Sequence, residues 1–101
     1  MLSAAQKKYL KGLAHGLKPV VFIGQRGVSE ALEKAMNEAL DAHELIKARF
    51  VDFKEKDQKE AISEEIEKLC GCEKIGMIGH VAIFFRQQKD SKKRKIVLRE
   101  K

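Results

Sequence analysis

The segment Gly24-Gln25-Arg26-Gly27 has the residue types and spacing best suited to a chemical role in this 101-residue sequence. It follows an apolar run at residues 19–23 and precedes an amphipathic stretch that opens at Val28. Glycine lacks the Cβ that would keep a sugar-phosphate chain away, and a helix N-terminus offers unpaired amides and partial positive charge. The segment therefore predicts a phosphate-binding turn between a strand and a helix.

The residues around these glycines exclude two nucleotide-binding loops. A P-loop requires Lys-Ser or Lys-Thr after its second glycine, whereas Val28 and Ser29 follow Gly27. The dinucleotide pattern G-x-G-x-x-G does not occur in the chain. The remaining pattern, G-x-x-G, clamps single-stranded backbone in KH-type modules, but glycines after a strand are more often plain turn residues. The segment alone leaves both interpretations open.

No catalytic or metal-binding constellation accompanies the glycine segment. His15, His43 and His80 each fall near a predicted helix end or turn, where capping or packing is the commoner role. Cys70 and Cys72 are separated by one residue, and no second cysteine pair completes a structural zinc site. We therefore predict that the chain is not an enzyme and has no catalytic residues, metal, cofactor or small-molecule substrate.

Composition predicts a single domain over residues 1–101 that binds polyanions or acidic surfaces. Charged residues make up 36% of the chain and its formal net charge is +6. No segment approaches the ~20 apolar residues of a membrane span, so no membrane partner is expected. Two nearly adjacent cysteines suit a reducing compartment. A soluble, cytoplasmic protein is the expectation.

Basic and acidic residues are segregated along the chain. Residues 1–28 carry five bases and no acid, residues 29–72 carry seven bases and twelve acids, and residues 73–101 carry nine bases and three acids. The start, the glycine segment and the end could therefore meet an anion while the acidic middle faces away.

Apolar periodicity predicts seven elements. They are a helix from Ser3 to about His15, a strand at 19–23 buried on both faces, a helix from Ser29 to about His43, a strand at 45–50, a helix ending near Cys70 after the charge-rich connection 52–59, and a hairpin of strands 74–78 and 81–86. Gly79-His80 suits a type II′ turn. A basic tail starts at about residue 89, and residues 96–98 form either an edge strand or a frayed end.

The first helix is expected to have one packed side and one basic side. Its packed side comprises Tyr9, Leu10, Leu13 and Leu17, and its basic side comprises Lys7, Lys8, Lys11 and His15. Tyr9 and the five phenylalanines are assigned to the core, so recognition of a nucleic acid should depend on backbone and shape.

The element order α-β-α-β-α-β-β predicts a compact α/β domain with a mixed four-stranded sheet. Right-handed crossovers would place the second and third helices on the same face of that sheet. Periodicity does not decide whether the first helix covers the other face.

Three blocks of the sequence together resemble the CRM domain (chloroplast RNA splicing and ribosome maturation) in its stand-alone bacterial, YhbY-type form. The blocks span residues 13–27, 43–47 and 78–80. The resemblance implies an RNA-binding module that folds like the C-terminal domain of translation initiation factor three and associates with precursors of the large ribosomal subunit. Two positions depart from the family pattern, since Gln25 replaces a typical lysine and Phe85 a common tyrosine.

The motif, the charge distribution and the resemblance together predict an RNA-binding surface. Its residues are Gly24, Gln25, Arg26, Gly27, Lys7, Lys8, Lys11, Lys18, Lys47 and Arg49. The expected partners are ribosomal RNA and pre-50S particles, with ribosomal proteins as further contacts. The alternative is a protein–protein adaptor of the ribosome or translation machinery that uses the acidic helices.

Overall fold

The computed structural model describes residues 2–98 of the chain. The elements are α1 (Ala4–Ala14), β1 (Val21–Ile23), α2 (Glu30–His43), β2 (Leu45–Phe50), α3 (Lys56–Cys70), β3 (Glu73–Ile78), β4 (Val81–Phe85) and a short 3₁₀ helix (Ser91–Lys93). The predicted α/β class and element order are confirmed. Helix α3 begins within the charged segment that the sequence assigned to a connection.

The four strands form one mixed sheet in the order β1-β2-β4-β3. Strands β1 and β2 are parallel, with Phe22 opposite Arg49, and the other two pairs are antiparallel. Because β1 pairs only with β2, it is an edge strand of this sheet. In the β3–β4 turn Gly79 has a φ of +60°, while His80 has no positive φ, which is the φ pattern of the predicted type II′ turn.

Helices cover both faces of the sheet. Helices α2 and α3 pack on one face, where Met36, Leu40 and Ile66 join Phe50 and Phe84 in the larger core. Helix α1 packs on the other face over residues of β2, β3 and β4. The arrangement places the second and third helices together, as predicted, and settles the position of α1.

Local signals in the sequence account for the helix ends. Ser3 caps α1 in a capping box with Gln6, and the Ser29 hydroxyl accepts a hydrogen bond from the Leu32 amide at the start of α2. Helix α3 ends at Cys70 and is capped by Gly71, whose left-handed φ of +61° suits a residue without Cβ.

The predicted packed side of α1 is right for Leu10 but wrong for Tyr9, Leu13 and Leu17. Leu10 and Ala14 are fully buried, whereas Tyr9, Leu13 and Leu17 are 44%, 42% and 40% exposed. The helix is rotated so that its lysines approach β3: Lys7 pairs with Glu73, and the Lys11 stem lies over Gly76. Long lysine side chains can cover apolar surface with their methylenes, a property that a hydrophobic periodicity does not count.

The prediction that the first strand is buried on both faces is also wrong. Val21 and Ile23 are buried under α2 and α3, but Phe22 is 60% exposed. The core cluster beneath α1 contains residues of β2, β3 and β4, so within residues 2–98 this helix leaves the outer face of β1 uncovered.

Residues 96–98 form neither the edge strand nor the frayed end that the sequence left open. Ile96 and Leu98 instead pack against the core beneath α1. None of the helices formed by residues 2–98 has the length and apolar character needed to cross a bilayer.

Candidate nucleic-acid interface

The glycine segment forms a tight turn with two exposed residues at its tip. The Gly27 amide donates to the Gly24 carbonyl oxygen at 3.0 Å, which closes the turn. Gln25 and Arg26 are exposed at the tip. Within the described part of the chain their backbone amides have no hydrogen-bond partner. The tip therefore presents two amides, a carboxamide and a guanidinium, all of which can donate to phosphate oxygens.

Glycine suits the two positions of the turn for different structural reasons. Gly27 is buried with a φ of +59°, and a Cβ there would lie 3.5 Å from the Phe53 ring. Gly24 does not have a left-handed φ, and the nearest atom to a Cβ at this position would be the Asp52 Oδ2, at 3.6 Å. Gly27 therefore serves the fold, and Gly24 is the position where a missing Cβ can favour close approach of a ligand.

The N-terminus of α2 is less suited to an anion than the sequence suggested. The helix starts at Glu30, and the Ser29 Oγ accepts from the Leu32 amide at 3.2 Å, so this amide is satisfied. Glu30 and Glu33 add two negative charges to the first turn. Since such acids offset the positive end of the helix dipole, the turn tip is the better phosphate donor.

Asp52 lies beside the turn and was missed by the sequence analysis. It follows β2, and β2 runs parallel to β1, so the segments after both strands emerge at the same edge of the sheet. The parallel pairing of β1 and β2 is the signal from which the closeness of Asp52 to the turn could have been predicted. An exposed carboxylate next to Gly24 weakens the local attraction for phosphate.

The basic residues of α1 differ in how free they are. Lys7 pairs with Glu73 at 3.4 Å, whereas Lys8 and Lys11 are exposed. Lys18, beyond the helix, is also exposed. Within residues 2–98, Lys8, Lys11 and Lys18 have no ion-pair partner.

The two cations of β2 also have different environments. The Lys47 ammonium donates to the Leu17 carbonyl at 2.9 Å and to the His15 carbonyl at 3.5 Å, so it holds the segment after α1. Such bonds satisfy carbonyl groups at a helix C-terminus. Arg49 is exposed, opposite Phe22 in the sheet register. Arg49 is therefore the freer of the two charges.

Lys59 of α3 brings positive charge to the turn between β3 and β4. The Lys59 ammonium donates to the Gly79 carbonyl at 2.8 Å and lies 3.2 Å from His80 Nδ1. Partial burial and the nearby charges of Lys59, Lys54 and Arg49 lower the pKa of His80. Lys54 and Lys59 are not among the residues predicted for the basic surface.

The side of the sheet that α2 and α3 cover is acidic. Helices α2 and α3 together carry nine acidic and four basic residues, whereas α1 carries three lysines and no acid. Because the cores place α1 and the other two helices on opposite faces, the chain has a basic and an acidic side.

Phe85 and Arg86, at the end of β4, have structural roles. Phe85 is buried in the core beneath α1, so this departure from the family pattern lies in the interior. The Arg86 guanidinium donates to Asn37 Oδ1 at 2.6 Å, to the Cys70 carbonyl at 2.7 Å and to Asp41 Oδ1 at 2.7 Å. Arg86 therefore joins α2 to the end of α3.

Neither cysteine has the properties of a reactive thiol. Both are free, and burial together with the neighbouring Cys70 and Glu67 raises the pKa of Cys72 to about 12. A thiol with this pKa is protonated at neutral pH and is a poor nucleophile. Among residues 2–98 no group of three or more histidine, cysteine or carboxylate side chains could hold a metal ion.

Comparisons with known proteins agree with the family that the sequence resembles. The family model of the CRS1/YhbY (CRM) domain matches residues 2–86. A Haemophilus influenzae protein named "RNA-binding protein" is 36% identical over 90% of this chain and 91% of its own length. The Bacillus subtilis protein named "Probable RNA-binding protein YqeI" is 32% identical over 91% of this chain and 95% of its own length.

A solved structure shows the same fold. The solution structure of a hypothetical protein from Staphylococcus aureus, described as a candidate for RNA binding, superposes with a TM-score of 0.80 at 30% identity. The match covers 96% of this chain and 100% of the Staphylococcus aureus chain. None of these three relatives is named as an enzyme, in agreement with the prediction of no enzymatic activity.

Proposed function

The chain belongs to the CRS1/YhbY (CRM) domain family, and from that premise we propose that it is a cytoplasmic RNA-binding protein that binds ribosomal RNA in precursors of the large ribosomal subunit. Relatives named as RNA-binding proteins, each matched over most of its length, support the choice of RNA as the partner. The ribosomal target is the part of the proposal that the family resemblance suggests.

The observation that carries the proposal is the exposed turn tip with its unpartnered amides. Gln25 and Arg26 follow β1 by two and three residues, and the exposed Arg49 lies opposite Phe22 on the neighbouring strand. A phosphate at the tip would accept from the two amides and from the Arg26 guanidinium. Contacts of this kind position RNA without reading its sequence.

A wider basic surface would strengthen the attraction. Five of the predicted cations are exposed and have no ion-pair partner within residues 2–98; they are Lys8, Lys11, Lys18, Arg26 and Arg49. Apart from Glu30 and Glu33 in the first turn of α2, the acids of α2 and α3 lie on the opposite side of the sheet, so they would not face the RNA.

The test is a charge reversal at the turn tip. The double substitution Gln25→Asp/Arg26→Asp changes two exposed side chains, so it should weaken binding to ribosomal RNA fragments without altering the melting temperature. Crosslinking in cells, followed by sequencing of the attached RNA, should recover immature large-subunit RNA. Recovery of messenger or transfer RNA instead would contradict the ribosomal target.

The acidic side favours the adaptor as a second candidate function. Glu33 and Glu38 belong to α2, and their reversal to lysine provides the matched comparison. An adaptor requires these variants to lose binding to ribosomal proteins while RNA affinity persists. Loss of RNA affinity only in the Gln25/Arg26 variant supports the RNA-binding module.

A further inference from the structure

Phe22 is an aromatic residue on an uncovered part of the sheet. Its neighbours Val21 and Ile23 are buried, but Phe22 points to the opposite face and is 60% exposed. The sequence assigned all phenylalanines to the core, so this position corrects that interpretation. An aromatic ring left in solvent beside a proposed RNA site requires an explanation beyond packing.

Phe22 lies at one end of a row that crosses all four strands. Phe22 is opposite Arg49, Arg49 is opposite Val81, and Val81 is opposite Ile78. At ~4.8 Å between strands, the row spans about 14 Å. Ile78, at the other end, is 70% exposed. The row is therefore an open, mostly apolar strip with a guanidinium in it.

The charges around this strip favour a polyanion over an apolar protein segment. The next row on the same face includes Lys47 and Gly76, and the Lys11 stem lies over Gly76. Arg49, Lys54 and Lys59 all act on His80, so positive charge surrounds the turn that joins Ile78 to Val81 at the end of the strip. Neither row contains an acidic residue.

We propose that Phe22 and Arg49 form a stacking platform for an unpaired nucleobase of the RNA that the Gly24–Gly27 turn binds by its backbone. The inference rests on the proposed RNA binding and adds its ligand class, a single-stranded segment. Phe22 precedes Gly24 by two residues, so one nucleotide chain can contact both. Aromatic rings and arginine planes are the groups on which proteins stack splayed bases, and paired bases within a duplex are not available for this contact.

The experiment measures affinities of the full chain for a short single-stranded RNA containing 2-aminopurine and for a duplex of the same sequence. The variants are Phe22→Ala, Phe22→Leu and Phe22→Tyr, because leucine keeps apolar area without a ring and tyrosine keeps the ring. The matched control is Leu69→Ala, which shortens an apolar side chain, 46% exposed, on the helix α3 side of the sheet.

The alanine and leucine variants should weaken single-strand binding by roughly 5- to 150-fold and remove the fluorescence quenching that stacking causes. The tyrosine and Leu69 variants should match the parent, and duplex affinity should be unchanged throughout. Parental affinity in Phe22→Leu, or equal losses for single strand and duplex, would overturn the platform and leave the proposed RNA binding in place. Absence of RNA binding by the parent protein would overturn both.

Discussion

The Glu44 carboxylate accepts a hydrogen bond of 2.9 Å from the amide of Ile96, 52 positions further along the chain. It also accepts from the amides of Lys95 and Gln88. Glu44 is fully buried between α2 and β2 and has a φ of +65°, a strained value for a residue with a Cβ. One side chain thus fastens the basic tail to the folded domain.

Replacing Glu44 with glutamine should loosen the tail. The amide oxygen can keep the Lys95 and Ile96 bonds, but an NH₂ group would face the Gln88 amide and the negative charge would be lost. We expect a loss of about 1–3 kcal/mol in the free energy of unfolding and faster trypsin cleavage at residues 92–95. Glu38→Gln, an exposed substitution on the preceding helix α2, is the control. Equal cleavage rates in the two variants would contradict this role.

The same carboxylate should make stability fall in acid. Burial alone would raise the pKa of Glu44, but the three amide bonds and Arg94 outweigh it, so the pKa is lowered below its ordinary value of 4.5. A lowered pKa contributes stability that is complete above 4.5 and is lost as the pH falls through the folded-state pKa. Thermal melting from pH 6 downward should show a smaller decline in Glu44→Gln than in the parent.

The sequence predicted the elements well because each depends on local signals. Ser3 and Ser29 mark helix starts, Gly71 marks a helix end, and Gly79 marks a hairpin. The exposure of Phe22 could not be predicted in the same way, because it depends on where α1 lies on the sheet. The α1 position in turn involves contacts between residues distant along the chain, such as the Lys11 stem over Gly76.

The predicted site likewise combines features that depend on local sequence with features that depend on the fold. The turn and its exposed tip follow from Gly24 and Gly27, which are adjacent to the strand in sequence. The bonds of Lys47 to the segment after α1 and the approach of Asp52 to Gly24 involve residues distant along the chain. Residue type and spacing show which positions carry a charge. Only the folded structure shows whether that charge already contacts another group of the protein.

The two glycines of the turn should respond differently to alanine. Gly27→Ala forces a Cβ into a left-handed conformation, so we expect a loss of about 1–2 kcal/mol in the free energy of unfolding. Gly24→Ala meets only ordinary contacts and should change stability by less than about 0.5 kcal/mol. If RNA backbone approaches Gly24, this variant should nevertheless bind RNA more weakly. Unchanged affinity in stable Gly24→Ala would show that no ligand approaches there.

Asp52→Asn should strengthen RNA binding. The substitution removes a negative charge beside the turn, and at short range in water a unit charge contributes about 1 kcal/mol, equivalent to roughly five-fold in affinity. Glu64→Asn, on the exposed side of α3, controls for a general change in net charge. Equal gains in both variants would indicate a long-range effect of net charge instead of a local one.

The salt dependence of RNA binding should report how many of the predicted cations are free. Lys7 is engaged with Glu73 and Lys47 with two carbonyls, which leaves the five exposed cations named above. Neutralising about five phosphates of a single strand gives a log–log slope of about −3.5, or a loss on the order of 100-fold between about 50 and 200 mM salt.

Arg26→Gln should reduce the magnitude of this slope by about 0.7, because one phosphate contact is lost. Lys47→Gln should instead lower the melting temperature and leave the slope near the parental value, since its ammonium already binds Leu17. A slope close to zero in the parent, or a Lys47 variant that changes the slope as much as the Arg26 variant does, would show that the turn and the exposed cations do not determine the affinity.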